Sequence, residues 1–175
     1  MIHLELEDKE YVLKELTHVR NVARAVLIND KNEVCILTVD RDDIFGKCLY
    51  YETPGGGVDE NETPEQAVIR EIDEEIGCKA EIIIKIGVVE DYYNLIGRKN
   101  INHYYLCRTL IKTKIHHESL GDQYIKNFKF VPIDEAIELF DKTEDSKLAR
   151  ILKQRELPIL IEAKKLLSNI FANNK

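Results

Sequence analysis

Residues 63–77, TPEQAVIREIDEEIG, spell out both ends of a helix and both of its sides. Thr63 is placed to cap the N-terminus, with Pro64 at the first helical position and Gln66 completing a capping box. Gly77 can close the C-terminus in a left-handed conformation. At about 100° per residue, Val68, Ile69, Ile72 and Ile76 share one sector of the helix, while Glu71, Glu74 and Glu75 fall in the neighbouring one. A chain carrying this segment must pack one side of the helix against a core and hold a carboxylate cluster beside that contact.

Local electrostatics opposes the cluster. Glu71 and Glu75 are four residues apart, where like charges repel, and all three acids sit toward the negative end of the helix dipole. A solvated face is the bland reading, with Arg70 pairing Glu74 across one turn. A divalent cation reverses the sign of the argument, because hard carboxylate oxygens then become ligands of the kind Mg²⁺ or Mn²⁺ takes. The preceding Pro54-Gly55-Gly56-Gly57 favours that second reading. Successive glycines let phosphate oxygens approach backbone N–H groups, and acids for a cation beside amides for an anion suggest a metal-bound polyphosphate.

Around this segment the pattern is mostly β. Val19–Ile28 and Glu33–Val39 are β-branched runs flanking Asn29-Asp30-Lys31-Asn32, a hairpin signature. Arg41–Lys47 reads as a loop and Cys48–Glu52 as a short strand, and the glycines at 55–57 as a break in regular structure. Ala80–Tyr93 and Ile101–Lys114 predict two long strands joined through Gly97, and Phe128–Ile133 one more. From Asp134 the spacing becomes helical: IDEAIELF, then SKLARILKQRE, then a further helix starting at Pro158. Strands, one helix, strands, then helices imply an α+β fold in which a mixed sheet is covered on both faces. With 175 residues and no linker or repeat, residues 1–175 are expected to form a single domain.

Composition narrows the class of partner. The net charge is −7 and no run of Lys or Arg forms a basic tail, which argues against long nucleic acid and against anionic membrane. The cysteines Cys35, Cys48, Cys78 and Cys107 are dispersed without zinc-like spacing and read as free thiols. The opening MIHLELEDKEYVLKEL is short and amphipathic, and it is acidic where a secretory signal would be basic. No apolar stretch approaches the ~20 residues of a membrane span. The expected location is the cytoplasm.

Gly56, Glu62, Arg70, Glu71, Ile72, Glu74, Glu75, Gly77 and Cys78 follow G-x5-E-x7-R-E-U-x-E-E-x-G-U, with U apolar. In this the chain resembles the Nudix hydrolases, the MutT-like pyrophosphohydrolases. The resemblance implies their α/β/α sandwich over about residues 18–140, with a C-terminal helical extension over about 141–172 outside it. It implies Glu71, Glu74 and Glu75 as ligands of Mg²⁺ or Mn²⁺, Glu71 also as the group that positions or deprotonates water, Arg70 as the guanidinium that orients the glutamates, and Glu62 as a brace for the loop. Glu75 joins Glu71, Arg70 and Glu118 in the expected catalytic set. Glu118, in a later loop, is the candidate for a further ligand or general base, with Asp122 and Glu90 behind it; His116 and His117 are left without a role.

The implied reaction is attack of water on a pyrophosphate bond in a nucleoside diphosphate linked to another moiety. The partner is accordingly a small nucleotide derivative. Arg24, Glu52, Gly55 and Gly56 are the expected substrate-binding residues, and Arg20 shares a strand face with Arg24. The paired tyrosines at 50–51, 92–93 and 104–105 offer stacking surfaces or core packing. Glu52 resembles an acid of the ADP-ribose and sugar-nucleotide branches, but Asn94 stands where the ADP-ribose branch has proline. Leu95 and Ile96 stand near where dinucleoside polyphosphate hydrolases have tyrosine. Oxidised nucleoside triphosphates complete the substrate range. A catalytically silent nucleotide-sensing or protein-binding module is the alternative function. The apolar spacing after Ser146 suits packing back on the domain or, second, a homodimer contact.

Overall fold

The computed structural model describes residues 1–13, 15–116 and 122–172. Its strands are β1 (Ile2–Leu6), β2 (His18–Ile28), β3 (Val34–Asp43), β4 (Gly46–Glu52), β5 (Gly55–Gly57), β6 (Cys78–Tyr93), β7 (Arg98–Lys112) and β8 (Ile125–Val131). The helices are α1 (Pro64–Ile76), α2 (Ile133–Asp141) and α3 (Lys147–Ala172). The sheet runs β1-β6-β7-β2-β3-β4, with β5 added to β2 and β8 to β3. β1 with β6 and β2 with β7 are parallel, and the remaining pairs are antiparallel, so the sheet is mixed as the alternation of elements predicts.

The site originates where β2 and β3 part. Asn29 Oδ1 accepts from the backbone N–H groups of Lys31 and Glu33, which fixes the turn. The hairpin then pairs only at Ile28–Val34. Past that point the chain leaving β4 for β5 is laid into the gap: β4 pairs with β3 from Leu37–Glu52 outward, β5 pairs with β2 from Arg24–Gly55, and Ala25 N–H donates to the Pro54 carbonyl. The splayed strands and the inserted glycine segment form the walls and floor of a cleft.

Both faces of the sheet are covered. Ala23, Ala25, Leu27, Leu37 and Tyr105 pack with Ala67, Val68 and Ile72 of α1 and with Leu148 and Leu152 at the start of α3. Val26, Ile28, Ile36, Tyr104 and Leu106 pack with Phe140 of α2 and Ile159, Leu160 and Ala163 further along α3. Burial on both sides is why Tyr104 and Tyr105, on opposite faces of one strand, are both interior.

Three expectations change in detail. The opening segment, read only as short and amphipathic, contributes an edge strand, β1, with alternating burial, aligned with Gly87–Asp91 of β6. The loop expected over 41–47 contracts to a tight connection, because β3 continues to Asp43 and β4 starts at Gly46. The two helices expected after Ser146 are one, with Pro158 inside it. Pro158 removes one helical hydrogen bond, and the helix is held on both sides of it by buried side chains, Leu152, Arg155 and Glu156 before and Ile159, Leu160 and Ala163 after. This helix packs back on the domain.

Candidate active site

The α1 helix starts and stops as its letters dictate. Gln66 N–H donates to Thr63 Oγ1, Thr63 N–H donates back to the Gln66 side chain, and Gly77 adopts φ 67° and donates to the Asp73 carbonyl. With the apolar sector on the sheet, the acids are drawn under the glycine strand. Glu71, Glu74 and Glu75 are only 4%, 4% and 5% exposed, which decides against a merely solvated face.

β5 is stitched to α1 residue by residue. Gly55 N–H donates to Glu75 Oε2 at 2.8 Å, the Glu71 carboxylate lies against Gly56, and Arg70 Nη2 donates to the Gly57 carbonyl at 2.9 Å. Glycine is required here by space. A Cβ at Gly55 would stand 2.2 Å from the Ala23 carbonyl oxygen, and one at Gly56 would stand 2.3 Å from Glu71 Oε1. The turn read from the sequence as a break is therefore a short strand whose missing side chains let the helix carboxylates reach the backbone.

Arg70 holds the acids in place. It donates to both Glu62 oxygens through Nε at 3.1 Å and Nη2 at 2.5 Å, and through Nη1 to Glu71 at 2.9 Å and Glu74 at 3.2 Å. These bonds, with Glu62 first, raise the Arg70 pKa and hold the Glu62 carboxyl below its ordinary value. Glu62, Glu71 and Glu74, with Asp59 at 3.9 Å, thus gather on one guanidinium, and Glu71 and Glu74 do so while buried. Clustered carboxylates offer the hard oxygen donors that suit a divalent cation. Among the described residues, no three carboxylate, imidazole or thiol groups converge into a ready-made metal site.

The cleft has a volume of about 180 Å³. Glu71 and Glu75 line it together with Arg24, Glu52, Gly55 and Gly56, so six of the residues singled out from the sequence share one wall system. Arg70 and Glu74 stand behind that lining. Arg24 is buried and its donors are engaged: Nη2 pairs with Glu52 at 2.7 Å, Nη1 donates to the Thr53 carbonyl and Nε to Asn102. Burial alone would push the Glu52 carboxyl up, but Arg24 and Arg155 together pull it below its ordinary value.

Of the remaining candidates, Glu90 pairs with His3 and Lys99 beside β1, away from the cleft. Glu118 and His117 lie outside the described residues, and the backbone of Asp122 opens a short 3-10 turn ending at Tyr124. The chain leading toward Glu118 is anchored to the end of α1, with Thr113 N–H bonded to the Gly77 carbonyl and His116 N–H to the Glu74 carbonyl.

Sequence reasoning missed Arg98, Arg41 and Tyr124, which line the cleft, and Arg155, which lies beneath it. Arg155 is 1% exposed and donates to Glu52 at 2.8 Å, Asp91 at 3.3 Å, Glu156 at 3.0 Å and the Tyr93 hydroxyl at 3.0 Å. Glu156 in turn accepts from Thr53 and Tyr104. A charged Arg-Glu pair inside an otherwise apolar helical stripe was the available signal.

The family model described as the NUDIX domain matches residues 18–154. An RNA pyrophosphohydrolase of Sulfurovum sp. is 32% identical over 132 residues, covering 70% of this chain and 80% of that protein. An RNA pyrophosphohydrolase of Hydrogenovibrio crunogenus is 41% identical over 64 residues, covering 34% of this chain and 39% of its own length. An 8-oxo-dGTP diphosphatase of Escherichia coli is 41% identical over 56 residues, covering 32% of this chain and 42% of its own length. Only the first of these three is matched over more than half its length. Among solved structures, a NUDIX hydrolase from Nitrosomonas europaea superposes with a TM-score of 0.63 at 16% identity, covering 85% of this chain and 90% of that one, a likeness of fold.

Proposed function

The chain belongs to the NUDIX family, and from that premise we propose that it is a divalent-metal-dependent pyrophosphohydrolase. Its substrate is a nucleoside diphosphate linked to another moiety, cut at the phosphoric anhydride. The observation that carries this reading is the pair of buried α1 carboxylates, Glu71 and Glu75, held against a strand of bare glycines in a cleft, with the buried Glu74 beside them on the same helix.

Glu71, Glu74 and Glu75 would hold Mg²⁺ or Mn²⁺, which when bound neutralises charge on the phosphates and lowers the pKa of coordinated water. Arg70 fixes the glutamates in orientation through its bonds to Glu62, Glu71 and Glu74. Gly55 and Gly56 keep the backbone open to phosphate oxygens. Glu71 is the water-orienting group at the cleft wall, and Glu118 is the further acid to test as general base. Positioning and charge neutralisation supply most of the catalysis in such substitutions at phosphorus.

The names of the relatives add an RNA-linked pyrophosphate and an oxidised nucleoside triphosphate to the substrates worth testing. The deciding experiment incubates the protein with Mg²⁺ or Mn²⁺ and ADP-ribose, sugar nucleotides, dinucleoside polyphosphates, nucleoside triphosphates and a 5′-triphosphorylated RNA, with products separated by chromatography. Metal-dependent release of a nucleoside monophosphate, pyrophosphate or orthophosphate from one of them is the expected result. Cleavage of none with either metal would favour a nucleotide-binding module without catalysis.

A further inference from the structure

The arginines of the cleft fall into two kinds. Arg24 is neutralised inside the protein by Glu52, and Arg41 by Asp43. Among the described residues, Arg20 and Arg98 make no ion pair or side-chain hydrogen bond, although both guanidiniums line the cleft. The Nε of Arg98 is buried without an acceptor, and the guanidinium sits 4.9 Å from the centre of the Tyr93 ring, which backs one face of it.

The sheet sets these two cations side by side. β2 and β7 run parallel with His18 opposite Arg98 and Arg20 opposite Asn100, so Arg20 and Arg98 are diagonal neighbours on one face. Desolvation in the cleft lowers the pKa of each, Arg24 pushes Arg20 down further, and Arg20 does the same to Arg98. Two adjacent cations, one with an unfilled buried donor, are thus opposed by their surroundings. A planar guanidinium fork is well matched to phosphate oxygens.

Their position relative to the acids bears on which part of a phosphate chain they could meet. A side chain at Gly56 would strike Glu71, and one at Gly57 would strike the Arg20 guanidinium at 2.7 Å. Successive residues of a strand face opposite ways, about 3.3 Å apart, so the glycine strand divides carboxylates on one side from the guanidinium on the other, with no side chain between them.

We infer that Arg20 and Arg98 form a phosphate subsite for a group of the substrate outside the anhydride being cut. The inference rests on the pyrophosphohydrolase reading and narrows it. Preferred substrates carry a chain of three phosphates, such as a nucleoside triphosphate or a 5′-triphosphorylated end, over a nucleoside diphosphate joined to an uncharged sugar.

Two measurements on the full chain test this. In calorimetric titration without added metal, inorganic tripolyphosphate should bind the wild type, and Arg20→Ala and Arg98→Ala should each weaken it by about tenfold or more, as expected for loss of a charge-assisted phosphate contact. In steady-state kinetics, the same variants should raise KM for a nucleoside triphosphate by about tenfold while changing KM for a sugar nucleotide less than about twofold. Arg20 is exposed at the cleft mouth, so Arg20→Ala carries the test if Arg98→Ala fails to fold. Unchanged tripolyphosphate affinity in the variants, or equal KM shifts for both substrates, would overturn the subsite. If the wild type cleaves nothing yet the variants lose tripolyphosphate binding, the hydrolase reading fails and the subsite stands.

Discussion

Two arginine-carboxylate networks lie within this small fold, and they differ in how they are built. The Arg70 network is local: Glu62, Arg70, Glu71 and Glu74 come from one loop and one helix, and the Arg70 side chain is 29% exposed. The Arg155 network is assembled from distant chain segments, joining Glu52 of β4, Asp91 and Tyr93 of β6 and Glu156 of α3 around a guanidinium that solvent hardly reaches. In the first, several acids of one loop and one helix gather on a single, partly exposed cation beside the cleft. In the second, Glu52 is also bonded to Arg24, and Asp91 is also bonded to Asn100 and Asn102, so both acids are multiply satisfied. The network beside the cleft belongs to the proposed reactive region; the compensated network in the interior backs the cleft through Glu52 and Tyr93.

The contrast can be broken by mutation, beginning with the largest effect. Arg155→Met removes the central cation and leaves Glu52, Asp91 and Glu156 short of it, and urea denaturation should register a loss of about 3–5 kcal/mol, the range for an uncompensated buried charge. A loss below about 1 kcal/mol would mean that the interior network is not structural. Glu75→Gln should do the reverse. It keeps an acceptor for Gly55 N–H and relieves repulsion, so stability should stay within about 1 kcal/mol while turnover falls by about two orders of magnitude, or ~2.7 kcal/mol of transition-state stabilisation.

Glu62→Gln sits between these two. Partial exposure discounts the ion pair, and about 1 kcal/mol of stability should be lost in the same denaturation assay, with turnover reduced several-fold as Arg70 loses its anchor. The smallest effect concerns acid. The Glu52 and Glu62 carboxyls are held below their ordinary value of 4.5 in the folded state. A lowered folded pKa stabilises above the ordinary value and is lost as pH falls through the folded value. Thermal melts should therefore be flat in this respect above pH 5 and decline below about 4.5, with the decline reduced in Glu62→Gln.

The same division governs what the sequence could reveal. The helix, its caps and its acid cluster depend on residues within fifteen positions of one another, so spacing alone carries them, and the family resemblance adds roles that spacing cannot supply. The single hairpin pair at Ile28–Val34 was beyond reach, because its opening depends on where the chain from β4 to β5 is inserted. Helical periodicity after Ser146 was legible, but continuity through Pro158 depends on burial of its neighbours against two faces of the sheet. Arg98 became visible as a cleft residue only once β7 was aligned beside β2. Arg24, expected to meet substrate, is largely engaged by Glu52, Thr53 and Asn102, a set of contacts made across β2, β4 and β7.

Uptake of Mn²⁺ by the wild type and by Glu75→Gln, titrated calorimetrically with a non-hydrolysable pyrophosphate analogue present, tests the central claim most directly. The account predicts saturable binding by the wild type and a loss of about tenfold or more in affinity for the variant, on the scale of removing a metal-supporting group. Equal uptake by both proteins, or none by the wild type, would contradict it.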